Sequence, residues 1–213
     1  MKHAPRDNRE IFARIARRYD LLNRILSFGQ EQNWRETAAA QLPPGRVLDL
    51  GSGTGAALPV LAGRVVVGLD PVGPMLELSP ITLRVVAVGE RLPFRDESFD
   101  GVFSAYVFRN LTSVKLTLRE IHRVLRPGGV AAIVDLGRPE RSWQRWAHRW
   151  GTSMVLPLAG LAVGAPGEYW YLHRSLDKLP PPAKLFSPGP LELEDLWRMG
   201  PFGFVYGALL TKN

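Results

Sequence analysis

Two kinds of segment alternate along most of this chain. From residue 46 onward, short apolar runs are separated by segments with helical spacing. The runs are Val47–Leu50, Val65–Leu69, Leu83–Val88, Gly101–Ser104 and Val130–Leu136. Polar residues do not alternate with apolar ones inside the runs, which favours strands that are buried on both faces of a parallel sheet. The pattern therefore predicts βαβ units and an α/β fold with a mostly parallel sheet.

Helical spacing dominates the first 45 residues. Apolar residues between 11 and 26 recur on one helical face, and Gly29 is placed to end that helix. A second short helix is predicted over Glu31–Gln41. A third helix is predicted to begin after Thr112 as its N-cap and to end at Pro127-Gly128-Gly129.

The last third of the chain is less regular. Residues 138–190 are apolar and aromatic without a clear period, which is typical of an insertion or lid. Residues 191–213 are predicted to form one helix, followed by a strand or short hairpin over Phe202–Thr211. We expect one domain, in which 1–45 form a helical cap, 46–137 a cofactor-binding core, 138–190 a helical lid and 191–213 a C-terminal helix and strand.

Composition narrows the chemistry further. The chain has no cysteine and four scattered histidines, so disulfides and cysteine nucleophiles are excluded and no metal site is expected. A formal charge of +7 indicates an anionic partner such as nucleic acid or a membrane surface, or else a composition that favours arginine. No secretory signal opens the sequence, and we expect a cytoplasmic protein.

A glycine-rich turn follows the first apolar run, in the sequence Val47-Leu48-Asp49-Leu50-Gly51-Ser52-Gly53-Thr54-Gly55. Glycines let a backbone turn tightly and approach a ligand, and the start of a following helix attracts negative charge. Such a turn suits either a dinucleotide or S-adenosylmethionine. Asp49 favours the second cofactor, because a carboxylate there repels a pyrophosphate but can hold an ammonium group.

Two further groups complete this expected pocket. Backbone N–H groups of the glycine turn would bind the carboxylate of a methionine moiety. Asp70, at the end of the second apolar run, would accept hydrogen bonds from both ribose hydroxyls of either cofactor.

The glycine turn, Leu92–Asp100 and Arg123–Gly129 together resemble the class I S-adenosylmethionine-dependent methyltransferases. The resemblance implies a Rossmann-like three-layer αβα sandwich and favours a methyltransferase over an NAD-dependent oxidoreductase. It implies that the following residues bind the cofactor: Asp49, Gly51, Ser52, Gly53, Thr54, Gly55, Asp70, Pro71, Met75, Val88, Gly89, Glu90 and Ala105.

One position departs from the family pattern. The third strand of these enzymes ends in a polar residue and a small one that hold the adenine, and the aligned pair here is Val88-Gly89. Valine cannot donate or accept a side-chain hydrogen bond. We expect the Gly89 N–H, or Glu90 from nearby, to take this role.

Phe12–Asn23, Leu26–Gly29 and Tyr106–Leu111 resemble one subfamily, the quinone C-methyltransferases of menaquinone and ubiquinone biosynthesis. Tyr106–Leu111 matches that subfamily's Phe-Gly-Leu-Arg-Asn-Val, with Val107 in place of glycine. The subfamily's chain normally ends in two strands, and the C-terminal end here is shorter. The resemblance implies methyl transfer to a ring carbon of a reduced polyprenyl quinone.

Three residues are candidates for catalysing this methyl transfer. Arg109 would stabilise the quinol oxyanion, because a guanidinium stays charged and is a poor base. Asn110 would orient the ring through a hydrogen bond. Tyr19 would cover the methyl group or relay a proton. The alternatives are core packing for Tyr19 and a structural ion pair for Arg109.

One stretch of the predicted lid bears on location. Its tryptophans share one helical face and its arginines the opposite face; these are Trp143, Trp146, Trp150, Arg141, Arg145 and Arg149. Such a helix can lie on an anionic membrane, which would suit a lipophilic quinol and a peripherally membrane-associated enzyme. The alternative is that the tryptophans pack onto the domain. We expect no nucleic-acid partner and leave a homodimer open, with another small molecule or RNA as the alternative acceptor.

Overall fold

The computed structural model describes residues 27, 29–139, 142–146, 149–151, 153, 179–187 and 189–213. The predicted helix over 11–26, Tyr19, Arg141 and most of the predicted lid lie outside the described residues.

A seven-stranded sheet forms the centre of the described chain. In chain order its strands are β1 (Arg46–Leu50), β2 (Val65–Asp70), β3 (Leu83–Val86), β4 (Phe99–Ala105), β5 (Leu125–Leu136), β6 (Glu192–Met199) and β7 (Val205–Thr211). Their order across the sheet is β3-β2-β1-β4-β5-β7-β6. The first five strands pair in parallel, and β7 runs antiparallel to both β5 and β6. The predicted mostly parallel sheet is confirmed.

Helices lie beside the sheet. The α-helices are α1 (Glu31–Ala39), α2 (Gly73–Glu77), α3 (Val114–Val124) and α4 (Pro182–Phe186). Short 3-10 turns cover Leu58–Leu61, Phe108–Asn110 and Pro201–Gly203. Residues 142–146 and 149–151 are also helical.

Side chains of the central strands pack in two hydrophobic cores, one on each face of the sheet. Leu48 of β1 and Val102 of β4 pack in one core with α3. The residues beside them, Val47 and Phe103, pack in the other core with α1. This arrangement confirms the three-layer αβα architecture, because successive residues of a strand point to opposite faces.

Helix α3 and strand β5 differ from their predicted limits. The N-cap of α3 is Ser113, whose hydroxyl accepts a hydrogen bond from the Leu116 N–H, and not Thr112 as predicted. The Pro127-Gly128-Gly129 stretch does not separate α3 from β5 but lies inside β5. The pairing with β4 steps from Leu125 to Val130, so residues between them bulge out of the ladder.

The predicted α-helix after the glycine turn is wrong. A 3-10 turn, Leu58–Leu61, takes its place and contains Pro59. Proline lacks the N–H that a continuing α-helix would use.

The helix predicted from residue 191 is also wrong, because β6 occupies these residues. Trp197 of β6 lies against Gly207 of β7, where a Cβ atom would be 2.1 Å from the indole. The buried, apolar β7 requires a partner on each side, and this tertiary requirement overrides the local pattern of β6. Two C-terminal strands, β6 and β7, are therefore present.

Candidate active site

A cavity opens at the C-terminal ends of β1, β2 and β4. Ten of the predicted site residues line it: Gly51, Gly53, Asp70, Pro71, Met75, Val88, Gly89, Glu90, Ala105 and Asn110. Asp49, Ser52, Thr54, Gly55 and Arg109 are not among its lining residues. The carboxyl ends of parallel strands are the usual position of ligand sites in this kind of fold.

The glycine turn is held by its own hydrogen bonds. Gly51, Gly53 and Gly55 all have positive φ, which explains the choice of glycine. The N–H groups of Gly51 and Ser52 both donate to the Leu69 carbonyl, at 2.7 and 3.0 Å. The Gly55 N–H donates to the Ser52 carbonyl at 2.8 Å. These N–H groups, which we expected to hold a ligand carboxylate, are therefore already occupied.

Asp70 ends β2 with its carboxylate in the cavity. One oxygen accepts the Gly53 N–H at 3.0 Å and the other accepts the Val72 N–H at 2.8 Å. A carboxylate has about four acceptor positions, and these two N–H groups use two of them. Asp70 thus fixes the glycine turn and lies where a ribose-binding residue is expected.

Asp49 lies on the face of β1 that packs against α1. It is 1% exposed, and its Oδ2 has no hydrogen-bond partner among the residues that the structure describes. Burial raises its pKa to about 7, while the charge of Arg35 acts in the opposite direction. A buried carboxylate with an unsatisfied oxygen is costly, which is typical of a position that binds a ligand.

The raised pKa predicts how Asp49 affects stability. The folded protein keeps this carboxyl protonated up to about pH 7, whereas in the unfolded chain its pKa has the ordinary value of 3.8. Its contribution to stability is therefore full below about pH 4 and is lost as the pH rises to about 7. The difference in pKa corresponds to about 4 kcal/mol. Asp49→Asn should gain stability over the unaltered protein across this range, as chemical denaturation at several pH values would measure.

Asp100→Asn is the matched control for that experiment. The Arg46 N–H and the Arg126 side chain lower the pKa of Asp100. Its removal should therefore cost stability above about pH 4, the opposite sign. Identical pH dependence in both variants would contradict the assignment of Asp49.

At the expected adenine end, Glu90 already has a structural role. Its Oε1 accepts the N–H groups of Thr112 and Ser113 at 2.6 and 3.1 Å, so it holds the start of α3. Val88 and Gly89 line the cavity beside it. Val88 and Gly89 therefore offer a ligand backbone hydrogen-bonding groups and apolar contacts.

Arg109 forms a buried ion pair. Its Nη1 donates to Oδ1 of Asp135 at 2.8 Å, and the two side chains are 6% and 0% exposed. Burial raises the pKa of Asp135, and the adjacent guanidinium acts in the opposite direction. Asp135 also accepts the N–H groups of Phe108 and Leu136, at 2.7 Å each. Arg109 thus forms the structural ion pair that was the alternative interpretation, and its catalytic role stays a prediction.

Tyr106 and Arg35 are site residues that the sequence analysis did not single out. Tyr106 lines the cavity with φ at +64°, a backbone conformation that non-glycine residues rarely adopt. Asn110 donates to its carbonyl oxygen at 3.4 Å. The Arg35 guanidinium lies 5.2 Å from the centre of the Tyr106 ring. The position of Tyr106 three residues before Arg109 was the available signal in the sequence, and Arg35 had none.

Residues 2–187 match the family model described as the ubiE/COQ5 methyltransferase family. The chain belongs to this family. Family membership confirms the methyltransferase class and S-adenosylmethionine as the cofactor, which the sequence resemblance implied. It excludes the alternative hypothesis of an NAD-dependent oxidoreductase. The site fits this cofactor, because the ribose candidate Asp70 lines the cavity and because a buried oxygen of Asp49 has no hydrogen-bond donor among the described residues.

Curated relatives of this methyltransferase cover most of its length. Demethylmenaquinone methyltransferase of Thermus thermophilus is 38% identical over 82% of this chain and 87% of its own. The enzyme of that name from Roseiflexus sp. is 36% identical over 82% and 79%. A 2-phytyl-1,4-naphtoquinone methyltransferase of Nostoc sp. is 38% identical over 81% and 83%.

Among solved structures, an S-adenosylmethionine-dependent methyltransferase of Thermotoga maritima superposes with a TM-score of 0.69. It covers 96% of this chain and 99% of its own at 19% identity, a level that speaks to the fold alone.

Proposed function

We propose that this enzyme transfers the methyl group of S-adenosylmethionine to a ring carbon of a reduced, prenylated naphthoquinone. The observation that carries the proposal is the agreement among relatives named for demethylmenaquinone, each matched over about four fifths of this chain. The cavity supports it, since apolar residues such as Val72, Val107 and Leu111 line it beside a few polar groups.

The chemistry asks little of the protein beyond position and electrostatics. When bound, S-adenosylmethionine supplies a methyl group on a positively charged sulfur that leaves as a neutral thioether. The acceptor must present a ring carbon made nucleophilic by an ionised hydroxyl, whose pKa is otherwise about 10. The ring hydrogen at that carbon is then lost to water or a base as aromaticity returns.

Residues of the segment after β4 would meet these requirements. Asn110 lines the cavity and can donate to a quinol oxygen. Arg109 would lower the cost of the oxyanion through its positive charge, and Asp135 fixes its orientation. Tyr19 would cover the methyl group from the N-terminal segment.

An acceptor panel tests the proposed substrate class. Methyl-labelled S-adenosylmethionine would be incubated with reduced demethylmenaquinone, a reduced demethylated benzoquinone and an RNA pool. We expect label in the lipid extract of the naphthoquinol sample, with less in the benzoquinol sample and none in RNA. Label in RNA alone would overturn the proposal.

We also propose that the helical residues 142–146 and 149–151 touch the membrane that holds the quinol. Trp143, Trp146 and Trp150 are 60%, 65% and 58% exposed, and the rings of the last two lie 5.9 Å apart. Exposed tryptophans with nearby arginines suit the interfacial region of an anionic bilayer. Among the described residues, no helix is long and apolar enough to cross a membrane.

Replacing the three tryptophans by serine should weaken binding to vesicles of mixed phosphatidylcholine and phosphatidylglycerol. A roughly tenfold or greater loss is expected, because aromatic area leaves the interface. Leu116→Ser, at an exposed apolar position of α3, is the control and should bind as the unaltered protein. Equal vesicle binding by all three proteins would contradict membrane contact. Sedimentation of the free protein tests whether the tryptophans instead join two copies.

A further inference from the structure

Three polar side chains from different elements meet next to the cavity. Arg35 comes from α1, Asp49 from β1, and Tyr106 from the turn after β4. They are 5%, 1% and 8% exposed, respectively. We call them the Arg35 cluster.

Arg35 is a buried cation that lies over an aromatic ring. Its guanidinium lies 5.2 Å from the centre of the Tyr106 ring. Its charge lowers the pKa of Asp49, but no salt bridge to Arg35 is found within the described ranges. Buried charges are normally paired with an anion through hydrogen bonds, because desolvation is otherwise uncompensated.

Two oxygens of the Arg35 cluster are also unsatisfied. Asp49 Oδ2 and the Tyr106 hydroxyl are buried, and neither has a hydrogen-bond partner in the described part of the chain. Burial raises the pKa of the Tyr106 hydroxyl, so it remains a donor. The cluster therefore offers two unused donor groups, the guanidinium and the hydroxyl, beside one unused acceptor. A ligand with an anionic and a cationic group side by side would satisfy all three.

The position of the cluster identifies which end of the cofactor it faces. Tyr106 and Gly51 line the cavity, and Asp49 lies two residues before Gly51. Asp70, the expected ribose residue, stands across the glycine turn and binds the Gly53 N–H. The amino-acid end of the cofactor is the part that carries adjacent carboxylate and ammonium groups.

Four N–H groups of the glycine turn are already used in its present conformation. The N–H groups of Gly51, Ser52 and Gly55 donate to carbonyl oxygens, and that of Gly53 donates to Asp70. A carboxylate placed there would have to displace bonds of 2.7–3.0 Å. The Arg35 cluster requires no such displacement.

We infer that Arg35 and the Tyr106 hydroxyl bind the carboxylate of the methionine moiety, while Asp49 binds its ammonium group. The guanidinium presents paired donors that match a carboxylate. Stacking on Tyr106 holds the guanidinium in place before the ligand arrives. The inference rests on the cofactor of the proposed function and is independent of the methyl acceptor.

A pair of ligands that differ by the carboxylate tests this assignment. S-adenosylhomocysteine has the group, and S-adenosyl-3-thiopropylamine lacks it but keeps the ammonium. Calorimetry with Arg35→Met should show a 10- to 100-fold loss of affinity for the first ligand, the usual range for hydrogen bonds to a charged group. Affinity for the second should change less than about threefold, because the lost interaction is absent from it. Equal losses for both ligands would overturn the inference.

Two companion variants separate binding from folding. Arg64→Met removes hydrogen bonds to the Pro43, Ala39 and Leu42 carbonyls at the end of α1. It should lower the melting temperature while keeping the preference between the two ligands. Tyr106→Phe removes a hydroxyl without a partner, so it should lower S-adenosylhomocysteine affinity several-fold without loss of stability. A preference unchanged in both Arg35→Met and Tyr106→Phe would refute the inference.

Failure of this inference is distinguishable from failure of the proposed function. Binding of both ligands without any methyl transfer to quinol would leave the Arg35 cluster in place and refute the acceptor. Normal methyl transfer to the quinol, together with a ligand preference that Arg35→Met and Tyr106→Phe leave unchanged, would refute the Arg35 cluster and keep the acceptor.

Discussion

Asp70→Ala should lower affinity for S-adenosylhomocysteine by at least about 100-fold, since hydrogen bonds to a charged group contribute about 1.5–3 kcal/mol each and two hydroxyls are involved. The substitution also frees the Gly53 and Val72 N–H groups, which now donate to the carboxylate. The glycine turn would therefore lose its anchor at the same time as the ribose loses its acceptor. Calorimetric titration would measure the loss directly.

Two controls sharpen that titration. Glu77→Ala removes an exposed carboxylate from α2 and should leave affinity unchanged. Asp70→Asn keeps one acceptor oxygen and should fall between Asp70→Ala and the unaltered protein. Undiminished affinity in Asp70→Ala would mean that the cavity at the ends of β1, β2 and β4 is not the cofactor site.

Arg109→Ala should combine the largest loss of stability with a loss of turnover. The pair with Asp135 is fully enclosed, and removing one partner of a buried pair typically costs about 3–5 kcal/mol. Affinity for S-adenosylhomocysteine should remain within a few-fold, because Arg109 does not line the cavity. If its charge also stabilises the quinol oxyanion, residual turnover should reach its maximum at a higher pH. Denaturation, calorimetry and a pH–rate profile give these quantities separately.

The exposed pair of Arg126 and Asp100 is the control for the ion pair. Arg126 is 52% exposed on its side chain, so Arg126→Ala should cost about 0–1 kcal/mol and leave the pH–rate profile unchanged. Arg109→Lys keeps the charge and should retain the pH optimum while losing part of the stability, because lysine lacks the planar fork. An Arg109→Ala protein with the pH optimum of the unaltered enzyme would leave Arg109 a purely structural residue.

The sequence predicted those parts of the fold that depend on the local pattern of apolar residues. Val47–Leu50 and Val65–Leu69 are continuous apolar runs, and both became central strands. The segment that became β6 is mixed in polarity, and its strand conformation depends on β7 and on the fit of Trp197 over Gly207. No pattern within residues 192–199 contains that contact, which explains the wrong helix.

The residues of the candidate site likewise fall into two groups: those that local spacing predicts and those that only the tertiary structure shows. Asp70 and the glycine turn were predictable because their spacing follows from a single βα turn. Arg35 was not, because it belongs to a helix that sequence alone cannot place over the end of β4. The occupied N–H groups of the glycine turn and the capping role of Glu90 are likewise tertiary facts.

Methyl transfer to a ring carbon of a reduced quinone is tested most directly by following a ¹³C-methyl label from the cofactor into the product. Demethylmenaquinone would be supplied in parallel as the reduced and the oxidised form, and the extracted product examined by NMR. We predict a labelled methyl group on the quinone ring in the reduced sample and none in the oxidised sample. A labelled methoxy group, equal labelling of both forms, or no product from a protein that binds S-adenosylhomocysteine normally would contradict the claim.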